Sequence, residues 1–408
     1  MTRFWQKIRT GQWLTAERLQ GYSIILLVLC AIAIVVWVAA SDGLIDRRGQ
    51  PIGTDFSNVY AAGALAWQGL APDAYDPGLQ HAAEQAIFGG RPVPFYGWHY
   101  PPFFFAIAMA AAAFPYAWGL LLWLVTSLAG YLVTVCAIVR RPGTWLPALA
   151  FPAVFINIGH GQNAFFTATL IGGALVLLDR RPWVSGILIG LLIYKPQFGV
   201  LIPIALLAGG RWTTFAAAAL TASALAVASF AISGVEIWHA FAVSTTFTRT
   251  VILEQGATGW HKIQSLFSAV RMWGGGIHLA YAAQAMLAAA LAISIAWLWR
   301  SRASYDLKAA ALCTASLLVT PYVLDYDLVV LGIAIAFLAR HGLAHGFISY
   351  ELSLLALAWI MPLLTRTIAG ASGLPLGLIV MMMLYVVILR RAAMEAGVIF
   401  RSDAFAKA

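Results

Sequence analysis

Five short stretches hold side chains that could do chemistry in an otherwise apolar chain. The first, Gly53-Thr54-Asp55-Phe56-Ser57-Asn58-Val59-Tyr60, offers Asp55 as a general base and Tyr60 as a hydrogen-bonding or stacking group. The same pattern is an ordinary helix start, because Thr54 or Asp55 can cap the helix that follows. The second, Tyr96-Gly97-Trp98-His99-Tyr100-Pro101-Pro102, could form a platform for a sugar ring or a phosphate, with His99 as donor. Aromatic residues also gather at membrane interfaces without any such role. The third, Gly159-His160-Gly161-Gln162-Asn163, has no residue with a permanent charge and reads as a hydrogen-bonding turn between apolar runs. The fourth, Tyr194-Lys195-Pro196-Gln197, isolates a lysine between apolar segments. That is costly, and it calls for an anionic ligand or a carboxylate partner unless the side chain snorkels. The fifth, Thr320 to Asp327, carries Asp325 and Asp327. They could bind a divalent cation, pair with Lys195 or Arg271, or cap the next helix. A further polar segment adds His239, Arg249, Glu254, His261, Lys262, Gln264, Ser265 and Arg271, of which Arg271 is the strongest candidate.

The chain that must position these residues has 408 of them, 62% hydrophobic and only 10% charged. A soluble domain is about 45–50% apolar and about 25% charged. With a mean hydropathy of +0.83, this excludes a soluble enzyme and a disordered chain. The expectation is an all-α, polytopic membrane bundle forming one domain over 1–408, with about twelve spans of roughly 20 residues. The apolar runs are continuous, so a transmembrane β-barrel is excluded. The net charge of +9 fits arginine-rich cytoplasmic loops and not nucleic-acid binding. Cys30, Cys136 and Cys313 all lie in apolar runs and form no CxxC. The first apolar run, about Tyr22 to Ala40, reads as a retained span and not a cleaved signal.

Arginines at 140–141, 180–181, 211, 300 and 302, 340 and 390–391 fall at alternate junctions. Placing them in the cytoplasm puts 41–100, 233–276, both polar turns and the 320–327 junction outside, with both termini inside. Within 41–100, helices are expected at Ser57–Trp67 and Pro77–Phe88, with turns at Gly49–Thr54 and Gly89–Pro94. Pro101–Phe114 reads as a helix at the outer membrane face. Several runs of 12 to 15 residues are short for spans, and broken helices of that kind border cavities. No Walker A, GxSxG, HExxH or GxGxxG motif occurs in a workable context.

The order of these features resembles glycosyltransferase family 87, of the GT-C superfamily. They are one span, an outer Asp, a YPP stretch, a GQN turn, a KPQ turn, a Gln-Ser-Leu stretch and a TPY-to-DYD junction, covering roughly residues 20 to 340. Ile263 stands where the family has Asn before Gln-Ser-Leu, and Asp325 and Asp327 lie where some relatives use a histidine. The resemblance implies transfer of a hexose, most often mannose, from a polyprenyl-phosphate donor to an extracytoplasmic glycolipid or glycan, without a cofactor. The route it implies is a single inverting displacement. Asp55 would be the base, and Lys195, His160, Gln162 and Arg271 would hold the donor phosphate. Tyr60, His99, Tyr100, Asn163, Gln197, Asp325 and Asp327 would contact sugar or acceptor. The rival reading is a transporter or flippase, which would need an equally developed inner vestibule.

Overall fold

The computed structural model describes residues 3–397 and is helical throughout, with no β-strand among the described residues. Among the described residues, seven helices are long and apolar enough to cross a membrane: Ala16–Ala39, Tyr116–Val139, Trp212–Glu254, Ile277–Arg300, Asp325–His345, Glu351–Ser372 and Leu376–Glu395. Four shorter apolar helices accompany them: Pro102–Ala112, Ala164–Leu177, Pro182–Tyr194 and Pro196–Ala208. At about 1.5 Å per residue, none of the four reaches across an apolar layer of about 30 Å. They end inside the bundle, and the polar turns Gly159–Asn163 and Tyr194–Gln197 sit at those ends.

The first long helix stands off from the rest, with only 6% of its apolar window buried. A cleft of about 1030 Å³ separates it from the helices that carry Tyr131, Phe151 and Trp359. The core lies elsewhere. The span Asp325–His345 is 67% buried, and Tyr305–Leu318 is buried along almost its whole length.

The sequence reading of 233–276 as a loop needs correction. Residues 233–247 continue the helix Trp212–Phe247, and a π-helix carries it on through Thr248–Glu254. Gly234 absorbs a break within this helix with φ 76°, a value a residue with a Cβ rarely takes. The extension does not lie free. Phe241 packs on Tyr75, Phe247 on Phe95, and the Thr248 hydroxyl meets His99 Nδ1 at 2.9 Å. The whole stretch Trp212–Glu254 would measure about 65 Å, so its second half is free to clamp the 41–100 segment. Only the part from Gln255 to Gly276 is irregular, and even there a turn and the short helix Leu266–Met272 form.

Within 41–100, helices form at Thr54–Trp67 and Pro77–Ile87. Asp76 caps the second by accepting from the Gly78 and Leu79 amides at 2.8 and 2.9 Å. Pro101–Phe114 begins as a 3₁₀ turn, Pro102–Phe104, and continues as the helix Phe105–Ala112, which packs against Thr54–Trp67.

The arginine-bearing junctions meet at one end of the bundle. Arg340 pairs with Asp306 and donates to the Ile138 carbonyl. Arg211 pairs with Asp179 at 2.6 Å, His341 with Glu395 at 2.9 Å, and Arg391 with Glu351. The N-terminal helix Arg3–Thr10 joins them, as the Tyr350 amide donates to the Arg9 carbonyl at 2.8 Å.

Candidate functional site

At the other end, the Asp55 and Gln162 turns are docked through two glycines. Gly53 (φ 73°) ends its turn in the left-handed region and starts the helix Thr54–Trp67. Gly161 (φ 62°) ends the helix Pro152–His160 the same way. A Cβ on Gly161 would lie 3.1 Å from Gly53 Cα and 2.8 Å from Phe56 Cβ. Only glycine allows the two backbones this close.

Asp55 therefore does not cap its helix. The N-cap is Gly53, with no side-chain hydrogen bond. The carboxylate instead accepts from Gln162 Nε2 at 3.2 Å and lies 3.9 Å from His160 Nδ1, which meets Thr54 Oγ1 at 2.8 Å. Asp55 keeps 17% side-chain exposure, enough for a substrate to reach it. Burial pushes its carboxyl above the usual range. The nearby His160, the Gln162 hydrogen bond and the Lys195 charge oppose that rise, and Asp325 adds to it.

Gln162 is held in turn. Its Oε1 accepts from the Tyr100 hydroxyl at 3.1 Å and from the Asn163 amide at 2.7 Å. Asn163 Nδ2 donates to the Tyr100 hydroxyl at 2.7 Å. The Tyr100 ring packs on Phe104, and Phe104 stacks on Tyr194 at 4.9 Å between centroids. The aromatic stretch and the two polar turns thus form one connected layer, so the donor that orients Asp55 is itself oriented.

Lys195 and Asp327 form a buried ion pair at 2.8 Å. Of the two partners open to Lys195 from sequence, the carboxylate is the one found. Asp327 also accepts from the Leu324 amide at 3.0 Å. Asp325 turns the other way, toward Arg366 Nη1 at 3.7 Å. One carboxylate of the pair is thus on a lysine and the other faces an arginine. No cluster of three or more His, Cys, Asp or Glu able to hold a metal occurs among the described residues. The His160 and Tyr326 rings meet edge to face at 5.6 Å, which joins this junction to the Asp55 pair.

Four expected residues make no hydrogen bond to this cluster. Arg271 donates to the carbonyls of Gly275 and Glu254 at 2.8 and 3.1 Å and lies over the Trp260 ring. Its guanidinium closes its own loop. His99 bonds Thr248, and burial lowers its pKa to about 4, so it is neutral and serves to anchor the clamp. Tyr60 donates to the Phe114 carbonyl at 2.9 Å, with its ring between Phe56 and Tyr116. Gln197 lies half-buried in the turn Pro196–Phe198 and makes no hydrogen bond among the described residues.

Arg366 escaped the sequence reading because it is a single cation inside the long apolar run Glu351–Ser372. An arginine one to two turns before a span's end is itself a signal, since such charges need a partner or an aqueous cavity. The Gln264-Ser265 stretch has a structural role that the sequence hid. Ile263 pairs with Leu324 as an isolated antiparallel bridge, Gln264 N donates to the Val323 carbonyl at 2.7 Å, and Ser265 Oγ donates to the Pro321 carbonyl at 2.7 Å.

No curated protein and no solved structure matches the chain. The family model described as Glycosyltransferase family 87 matches residues 98–321. The match takes in Tyr100, Gln162, Asn163, Lys195 and Gln264, and its ends fall between Asp55 and Asp325. It covers more than half of the chain, and it sets aside the transporter reading: the protein is a membrane glycosyltransferase that belongs to glycosyltransferase family 87.

Proposed function

We propose that this chain works as one membrane-embedded unit that transfers a hexose, with mannose the first candidate, from a polyprenyl-phosphate donor to an extracytoplasmic glycolipid or glycan. The observation that carries this reading is Asp55: a carboxylate released from capping, oriented by Gln162, beside His160, and without a strong cationic hydrogen bond that would hold it as a spectator.

The acceptor hydroxyl gives its proton to Asp55 as its oxygen bonds to the anomeric carbon. The bond from that carbon to the phosphate oxygen breaks, and the electron pair leaves with the polyprenyl phosphate. One displacement inverts the anomeric configuration. The leaving group is already anionic, so it needs cations and hydrogen-bond donors more than an acid. Lys195, locked on Asp327, acts at a distance by favouring the ionised form of Asp55. Tyr100 and Asn163 hold Gln162, and Asp325 lies on the side where sugar hydroxyls would be met. The active face is the one that lacks the arginine-bearing junctions, in keeping with the positive-inside rule.

The test is direct. Purified protein is given radiolabelled polyprenyl-phosphate mannose with a candidate glycolipid acceptor. Label should pass to the acceptor with inversion at the anomeric carbon. A product that retains the donor's configuration would remove the single-displacement role of Asp55.

A further inference from the structure

We propose that Lys262 and Arg366 together form the seat for the donor's phosphate, an anionic ester of a long isoprenoid chain, next to Asp55 and Asp325. The proposal rests on the polyprenyl-phosphate reading above and assigns residues that neither the sequence motifs nor the family match single out.

The seat is built by two elements locked against each other. Gln264 Oε1 accepts from Thr365 Oγ1 at 2.6 Å, and Gln264 Nε2 donates to the Lys262 carbonyl at 2.9 Å. The turn Trp260–Lys262 is thereby fixed to the helix Glu351–Ser372, one residue before Arg366. The His261 ring lies close to Gly370 on the same helix. The Ile263–Leu324 bridge fixes the other edge of the turn to the junction that carries Asp325. Lys262 and Arg366 are thus held on rigid supports around one carboxylate.

Their hydrogen-bonding capacity is open. Arg366 is 41% exposed, and its contact with Asp325, at 3.7 Å, is beyond hydrogen-bond range. Lys262 is half-buried and makes no ion pair or side-chain hydrogen bond among the described residues. The other cations considered differ on this point. Lys195 is closed in an ion pair with Asp327, and two of the Arg271 nitrogens donate to backbone carbonyls. Two cations therefore face Asp325 without either closing a hydrogen bond to it. Burial, then the charge of Arg366, push the Lys262 ammonium pKa down, while Asp325 and Asp55 pull it up. Lys262 is therefore within electrostatic reach of both carboxylates, and an anion placed there would relieve its repulsion with Arg366. When the sugar leaves, the phosphate gains negative charge, and these donors stabilise what develops.

The experiment measures binding of a long-chain polyprenyl phosphate to the full-length protein in detergent. The matching polyprenol and inorganic phosphate are run in parallel. Wild type should prefer the phosphate to the alcohol. Lys262→Gln and Arg366→Gln should each weaken polyprenyl-phosphate binding by about tenfold, the loss of one charge-assisted contact. Polyprenol binding should be unchanged, and Lys262→Arg should bind nearly as wild type. Well-folded Gln variants that bind the lipid phosphate as wild type does would overturn the assignment and leave the donor reading standing. Inorganic phosphate that competes as tightly as the lipid would make this a free-anion site and overturn the lipid assignment. A wild type indifferent to the phosphate would remove the donor reading together with the site.

Discussion

The two ends of the bundle use the same residue types for opposite purposes. At the arginine end, the carboxylates Asp179, Asp306, Glu351 and Glu395 each have a basic partner. The arginines left over at 140–141, 180–181, 300, 302 and 390 are exposed. At the other end, Asp55 has an amide donor and a histidine at 3.9 Å, Asp325 an arginine at 3.7 Å, and Lys262 no hydrogen-bonded partner among the described residues. Charges that satisfy each other hold helices in place. Charges held near one another without closing are free to bind a third group. Closed pairs occur at this end too: Arg91–Asp42 at 3.0 Å is exposed, and the buried Lys195–Asp327 pair belongs to the scaffold of the open site.

The largest expected effect tests the open end. Asp55→Asn keeps shape and can still meet Gln162, so the protein should fold and bind donor while turnover falls by about 10²- to 10⁴-fold. Because burial raises the Asp55 pKa, wild-type transfer should be lost on acidification at a pH above the ordinary carboxylate value. Near-normal transfer by a folded Asp55→Asn protein would break the comparison, and Asp325 would become the next candidate.

Buried pairs come second. Lys195→Met strands Asp327, and Arg391→Met strands Glu351, each at a cost of about 3–5 kcal/mol. Thermal melts in detergent should show similar losses for both. Transfer measured below the melting range should separate them: Arg391→Met should keep wild-type turnover per folded molecule, and Lys195→Met should not, since it removes a charge that acts on Asp55. Equal turnover in the two variants would place Lys195 in the scaffold alone.

The helical bundle was legible because hydropathy and arginine spacing report the bilayer directly. The turns that build the site were legible as polar islands between apolar runs. Their partners were not. Nothing along the chain tells that Asp55 meets Gln162, 107 positions away, because two left-handed glycines make that contact and glycines are common here. The carbonyl partners of Arg271 were not legible, since an isolated cation in a loop looks the same whether it binds a ligand or its own carbonyls. Arg366 was missed because it lies inside an apolar run. The helical half of 233–276 was read as loop because polar and titratable residues collect there, and the packing of Phe241 and Phe247 that holds it is tertiary.

A third, smaller effect sharpens the comparison through pH. Glu84 is fully buried and accepts from the Tyr96 and Gly97 amides at 3.0 Å each. Burial raises its pKa from 4.5 to about 7 despite those bonds. Between these values the native state holds a proton that the unfolded chain releases. Stability therefore falls as pH rises through 4.5 to 7 and is level above. The difference between wild type and Glu84→Gln should change by on the order of 2 kcal/mol between pH 5 and pH 8, with the wild type relatively better at pH 5. Melting curves at several pH values would show it, and parallel curves for the two proteins would refute it.

The smallest effect is expected at Arg211. Its guanidinium meets Asp179 at 2.6 Å, but the two side chains are 38% and 54% exposed. Ion pairs this open are worth about 0–1 kcal/mol. Arg211 also precedes the helix Trp212–Phe247, where a positive charge opposes the helix dipole. Removing the cation therefore relieves part of what it loses. The remaining arginines at that end keep the charge asymmetry that orients the chain. Arg211→Gln should melt within about 1 kcal/mol of wild type and transfer sugar at the same rate, with the small difference shrinking further in high salt. This weak effect makes Arg211 a severe test of the two-ended picture. If a normally folded Arg211→Gln protein lost transfer, the arginine end would have to take part in the reaction, and the division between a closed, supporting end and an open, reactive one would fail.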